Sequence, residues 1–231
     1  MAASETVLIV GAGSGLSASL AKLCAAEGMK VALAARDIEK LRPLAEQTGA
    51  GLHRCDASDA AAVSALFAKL DDDSGAPDLV VYNASGRYRG AIDTLEAEKL
   101  AQAVTVTALG GFYVAQAAAI RMLARGKGSI LLTGATASVK GLPGSTAFAM
   151  GKFALRGMAQ CLARELAPRN IHVAHFIIDG GIGTTGGRTE LTGEDKWLDP
   201  DAIAREYLHI HRQHRSAWTW EVELRPWVES F

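Results

Sequence analysis

The chain has 231 residues, 49% of them hydrophobic and 21% charged, with a formal net charge of -1 at pH 7. That length buries a large core in one domain, or at most two small ones. The balanced charge offers no basic field for nucleic acid and no polybasic membrane patch, which leaves small-molecule chemistry or protein contacts. The opening MAASETVLIV lacks the positive segment and long apolar run of a secretory signal, and no apolar run reads as long enough to cross a bilayer, so a cytoplasmic location is expected. Cys24, Cys55 and Cys161 are odd in number and form no CxxC pair. They read as small buried hydrophobes and not as a disulfide or zinc framework. Asn83-Ala84-Ser85 spells a glycosylation sequon that has no meaning without a secretory route.

Along the chain, short apolar or β-branched runs alternate with longer helical patterns. Strands are expected at 6–10, 30–35, 51–55, 78–82, 128–133, 171–178 and 219–224, and helices at about 15–28, 37–48, 58–70, 96–125, 145–167 and 200–213. Parallel strands need crossovers, and right-handed crossovers dominate. The alternation therefore predicts an α/β, Rossmann-type doubly wound three-layer sandwich with a mostly parallel, seven-stranded sheet. One dinucleotide-binding domain spans 1–231, its ligand crevice beyond the carboxyl ends of the strands. DDDSGAP at 71–77 reads as a solvated helix exit.

GAGSGLS at 11–17 follows the first strand and opens an alanine-rich helix. Gly11, Gly13 and Gly15, with Ser14 and Leu16 between and after them, suit a backbone cradle for a pyrophosphate at the positive end of that helix. At the tip of the second strand stand Arg36 and Asp37. A guanidinium there accepts a 2′-phosphate, whereas a carboxylate holds a free 2′-hydroxyl. With Asp37 read as the cap of the following helix, NADP(H) is favoured over NAD(H).

These residues resemble the short-chain dehydrogenase/reductase family over nearly the whole chain, through VGAGSGLS, CDAS, YNASG, VTALGGF, LLTGATAS, FAMGK and IDGGIGT. The resemblance implies that Asp56 and Ala57 meet the adenine, that Asn83, Ala84 and Ser85 line the adenosine ribose, and that Gly180, Ile182 and Thr184 lie at the nicotinamide. It also implies association into a homodimer or homotetramer through long helices. The catalytic half departs from the family pattern. Its tyrosine, serine and asparagine positions fall on Phe148, Ala135 and Thr107, and only Lys152 remains. A one-residue slip would put Thr136 in the serine role. In the family the lysine grips the nicotinamide ribose and acidifies the tyrosine; here it keeps the first task without the second. Tyr88, in the loop GRYRG, is a candidate replacement proton donor, with Thr133 and Ser138 as weaker ones.

The remaining constellations read as structural. His209, His211 and His214 lie near a helix end, where charge opposite the dipole is a simpler account than a metal, and no metal is expected. His172 and His175, three apart in a strand, face opposite ways. Gly110 and Gly111 interrupt an apolar helix for the sake of a close approach to the sheet or to a partner. The tail with Trp218, Trp220 and Trp227 closes the last sheet edge or docks a neighbour, and 183–213 forms a substrate lid that begins with the glycine-rich stretch 183–200. The expected function is an NADP(H)-binding oxidoreductase moving hydride to or from a small organic substrate without the usual tyrosine. The alternatives are an inactive cofactor-bound sensor or scaffold, and a non-redox lyase or isomerase on the same fold.

Overall fold

The computed structural model describes residues 4–183 and 196–229. Its centre is a seven-stranded sheet of order β3-β2-β1-β4-β5-β6-β7. The strands are β1 (Thr6–Val10), β2 (Lys30–Ala35), β3 (Gly51–Arg54), β4 (Leu79–Tyr82), β5 (Gly128–Thr133), β6 (Ile171–Ile178) and β7 (Glu221–Leu224), and every pairing is parallel. Alternate side chains feed two cores. Leu8, Val10, Val80, Tyr82 and Ile130 pack under helices α3 (Ala60–Asp73), α5 (Gly110–Arg125) and α6 (Thr146–Leu166). Val7, Ile9, Leu79, Val81 and Leu131 pack under α1 (Leu16–Ala26), α2 (Arg42–Thr48) and α7 (Pro200–His211). Strands covered on both faces have no polar side to show, so their sequences run apolar without alternation.

The strand order reverses between β1 and β4, both of which end at the same level: Val10 pairs with Tyr82. The chain leaves the sheet there at Gly11 and at Asn83, and the gap between these departures is the crevice expected at a topological switch point.

Several expectations need correction. The helix over 96–125 is not regular: α4 (Ala97–Val104) passes through a π-turn, Thr105–Leu109, before α5. The continuous segment Ala97–Arg125 is also long and apolar enough to cross a membrane by length and composition. Here it lies on the sheet with Val114, Ala118 and Met122 in the core. The stretch 37–48 begins as a 3-10 turn, Glu39–Leu41, with Asp37 one residue before its cap; its carboxylate nonetheless accepts from the Glu39 N–H at 3.2 Å. Cys24 and Cys55 are buried, but Cys161 is exposed. His211 does lie in the last turn of α7, but its side chain is largely shielded, with Nδ1 2.9 Å from Ser129 Oγ, and burial lowers its pKa, which works against a charge there.

Gly110 and Gly111 sit at the start of α5, where a Cβ on Gly110 would lie 2.5 Å from Tyr82 Oη and one on Gly111 2.5 Å from Leu155 Cδ1. Their gain is close approach to the sheet and to α6, which offsets about 1 kcal/mol of helix propensity each. The tail closes the sheet edge through β7. Trp218 stacks on His172 at 4.6 Å, while the Arg156 guanidinium on α6 grips Glu221 of β7 with bonds of 2.6 and 2.7 Å. Of the expected lid, residues 184–195 lie outside the described residues.

Candidate active site

The crevice at the switch point has a volume of about 690 Å³. Gly11 adopts φ +82°, and a Cβ there would stand 2.3 Å from Ala84 N, so only glycine lets the loops after β1 and β4 approach this closely. Gly13 and Gly15 face open space instead, which is what an occupant of the cradle requires. Ser17 ties the loops together: Asn83 Nδ2 donates to its Oγ at 2.8 Å, and that hydroxyl points at Gly11 O at 3.4 Å. The Asn83 amide is thereby fixed to protein, with its side-chain oxygen left for a ligand.

At the far end, Arg36 is exposed and lines the crevice. Asp37 turns toward Lys40, 3.1 Å away, whose hydrogen bond holds the carboxyl below its ordinary range. Asp56 accepts from Ser58 Oγ at 2.7 Å and Ser58 N at 3.0 Å, both on Oδ1, and these bonds, the hydroxyl's first, lower its pKa. Its second oxygen stays available for a donor.

The crevice shares Asn83, Ser85, Arg87 and Ile182 with an adjoining cavity of about 380 Å³. Phe148 and Lys152 meet there, both buried on the same face of α6. Lys152 Nζ donates to the Thr133 carbonyl at 2.6 Å and lies 5.7 Å from the centre of the Phe148 ring. The Arg87 guanidinium stands 5.6 Å from that centre. Burial, then the Arg87 charge, push the Lys152 ammonium from 10.5 down to about 7.

Residues 5–194 match the profile of the family described as short chain dehydrogenase. The chain belongs to that family. A crystal structure of a short-chain dehydrogenase from Rhodopseudomonas palustris is 36% identical with a TM-score of 0.84, covering 96% of this chain and 99% of that one. An uncharacterized oxidoreductase of Staphylococcus aureus strain N315 is 27% identical, over 96% of this chain and 97% of its own length. D-threitol dehydrogenase of Mycolicibacterium smegmatis is 29% identical, over 88% of this chain and 78% of its own.

Placed on this short-chain dehydrogenase fold, the cofactor residues expected from sequence line the crevice, except Lys152 and Gly180, which line the adjoining cavity, and Thr184, which lies outside the described residues. Ala135 and Thr136 line the cavity, but the Thr136 hydroxyl donates to Asp179 Oδ1 at 2.6 Å. Thr107 sits in the π-turn, donating to Ala103 O and accepting from Gly86 N, both at 2.9 Å. Tyr88 is a correction: it does not line the cavity, and its hydroxyl accepts from Glu96 N at 3.0 Å. Two further hydroxyls near β5 are also turned elsewhere. Tyr207 Oη, buried in the other core, bonds Thr133 Oγ1 at 2.9 Å, and Ser129 at the opposite end of β5 bonds His211. Among the described residues no cluster suits a metal.

A chain of buried groups was missed in sequence. His175 Nδ1 lies 3.1 Å from Glu221 Oε2, its Nε2 lies 3.3 Å from Ser138 Oγ, and Ser138 Oγ accepts from Ala135 N at 3.1 Å. Burial drives His175 down to about 4, so it is neutral. Glu221 feels burial pulling upward, but the Arg156 hydrogen bond and charge hold it ionised. Glu221 must therefore accept from Nδ1–H, leaving Nε2 to accept from the serine. Ser138 is fully buried and lines neither cavity. The chain fixes the turn beneath Ala135 and does not present a nucleophile. No local pattern marked it, since Glu221 is remote in sequence.

The Lys152 shift carries a consequence for stability. Between about 7 and 10.5 the unfolded chain holds more protons than the folded one, so stability rises with pH across that window and the cost of the buried ammonium is largest below it. Lys152→Met is expected to raise the melting temperature of the cofactor-free protein by a few degrees at about pH 6.5, with the gain vanishing toward about pH 10. A pH-independent difference in thermal melts would contradict the assignment.

Proposed function

We propose that this protein is an NADP(H)-dependent oxidoreductase that moves hydride to or from a small organic substrate without a phenolic acid. The observation that carries the reading is the continuity of a dinucleotide-sized crevice with a cavity where buried Lys152 lies against Phe148. The open space at Gly13 and Gly15 fits a pyrophosphate beside the N-terminus of α1. Arg36, with Asp37 neutralised by Lys40, suits a 2′-phosphate better than a free hydroxyl. When bound, the nicotinamide supplies or accepts the hydride. In this reading Lys152 donates to a ribose hydroxyl, and Phe148 excludes water from the cavity while offering no proton.

The missing acid selects the chemistry. General acid assistance contributes about 10²- to 10⁴-fold, so unactivated ketones should react poorly. Conjugated or iminium carbons need no strong acid at oxygen and rely mainly on alignment, which the fold supplies. A second reading, a cofactor-loaded sensor without turnover, draws on the same ring, which lies between two cations and carries no hydroxyl. We also propose self-association as a homodimer or homotetramer, because α5 and α6 leave Phe112, Ile120, Met150 and Phe153 exposed.

Calorimetry is expected to show NADPH binding at least about tenfold tighter than NADH. Absorbance at the reduced-nicotinamide band should then fall with enones or imines and barely move with simple ketones. Binding without consumption by any acceptor favours the sensor, and absence of affinity for either dinucleotide sinks both readings. Light scattering should return two or four times the chain mass; a monomer would contradict the association.

A further inference from the structure

Resting on the oxidoreductase reading and deepening it, we propose that the substrate is a small organic carboxylate, held by Arg89 and Lys140 at the cavity mouth and by Arg87 seated on the Phe148 ring. The cavity has an unusual charge inventory. Arg87, Arg89, Lys140 and Lys152 line it, and among the described residues no Asp or Glu does. Side chains of one sign around a concavity of about 380 Å³ repel one another and concentrate counter-ions. Among the described residues that repulsion is uncompensated: the side chains of Arg87, Arg89 and Lys140 form no ion pair or hydrogen bond there, and Lys140 is tied only through its backbone N–H, to Thr136 O at 2.9 Å.

A carboxylate adjacent to the lining in sequence sharpens the contrast. Asp179 lies between the lining residues Ile178 and Gly180, yet its Oδ1 accepts from Thr136 and its Oδ2 from Arg225 at 2.5 Å, behind the cavity. The tail thus neutralises Asp179, an acid that would otherwise offset the mouth. Nor does the cofactor account for the charge, because Arg89 and Lys140 line only the second cavity, whereas Arg87 borders both. Guanidiniums present paired donors that match a planar carboxylate. Leu142, Ile178 and Ala137 add an apolar wall. Together these groups suit a short acid whose carboxylate lies toward the exposed Arg89 and Lys140 and whose reactive carbon lies toward Phe148.

Matched probes test charge separately from turnover. Benzoate, crotonate and 4-oxopentanoate, each against its primary amide, are titrated by calorimetry into wild type and into an Arg89→Gln/Lys140→Gln variant, with and without saturating NADPH. At least one acid is expected to bind about tenfold or more tighter than its amide. The variant, folded as judged by an unchanged melting temperature, should lose that preference, and Arg89→Lys with Lys140 intact should keep most of it. Equal binding of acids and amides, no binding of any probe, or a preference that survives in the double variant overturns the proposal. The cofactor reading fails differently, by absence of NADPH affinity or consumption, and the charge preference of the cofactor-free protein is measured independently of it.

Discussion

A buried ammonium is the constraint from which the rest follows. Lys152 has almost no contact with solvent, and its fixed partners are the Thr133 carbonyl and the face of Phe148. An uncompensated charge in such a place is costly enough that the group shifts its proton equilibrium instead. The burial is a product of the fold. Helix α6 must cross the carboxyl end of β5 for its lysine to reach a free strand-end carbonyl, and it does so because its apolar face, including Leu155 and Ala159, belongs to the core beneath it. What would relieve the lysine is a ligand with hydroxyls or negative charge, and the dinucleotide crevice opens directly beside it.

The walls of the cavity are held from behind, by residues of the last strand. Glu221 of β7 anchors Arg156 and His175, and through His175 and Ser138 it fixes the turn at Ala135. Arg225, just past the same strand, anchors Asp179 and through it Thr136. Both sides of the turn after β5 therefore depend on a tail remote in sequence. That arrangement rigidifies the substrate side without placing a carboxylate inside it, since neutral His175 and the paired Asp179 keep their charges away from the cavity.

Strand and helix identities were legible because covered parallel strands have nothing polar to alternate with, and because the turn GAGSGLS sits between a strand and a helix as a phosphate cradle must. The glycine cradle and Arg36 followed from that local logic, whereas the remaining cofactor positions rested only on the family resemblance. Position within the irregular segments was not legible. The π-turn that places Thr107 under Gly86 leaves no mark in composition, and nothing local to GRYRG shows that the Tyr88 hydroxyl, a candidate proton donor in sequence, accepts from Glu96 N. The roles of Glu221 and Arg225 could not be read at all, because they arise from register between β6 and β7, a long-range pairing. The charge of the mouth was visible residue by residue, in GRYRG and at Lys140, but its convergence on one cavity is a property of the folded chain.

The central claim is that the pocket keeps its cofactor grip and lacks only the phenolic acid. The most direct measurement is single-turnover reduction of a simple ketone by NADPH-loaded Phe148→Tyr, alone and with Ala135→Ser. The account predicts a rise of about 10²-fold or more over wild type. Rates that stay at the wild-type level in both variants, while NADPH still binds, would contradict it.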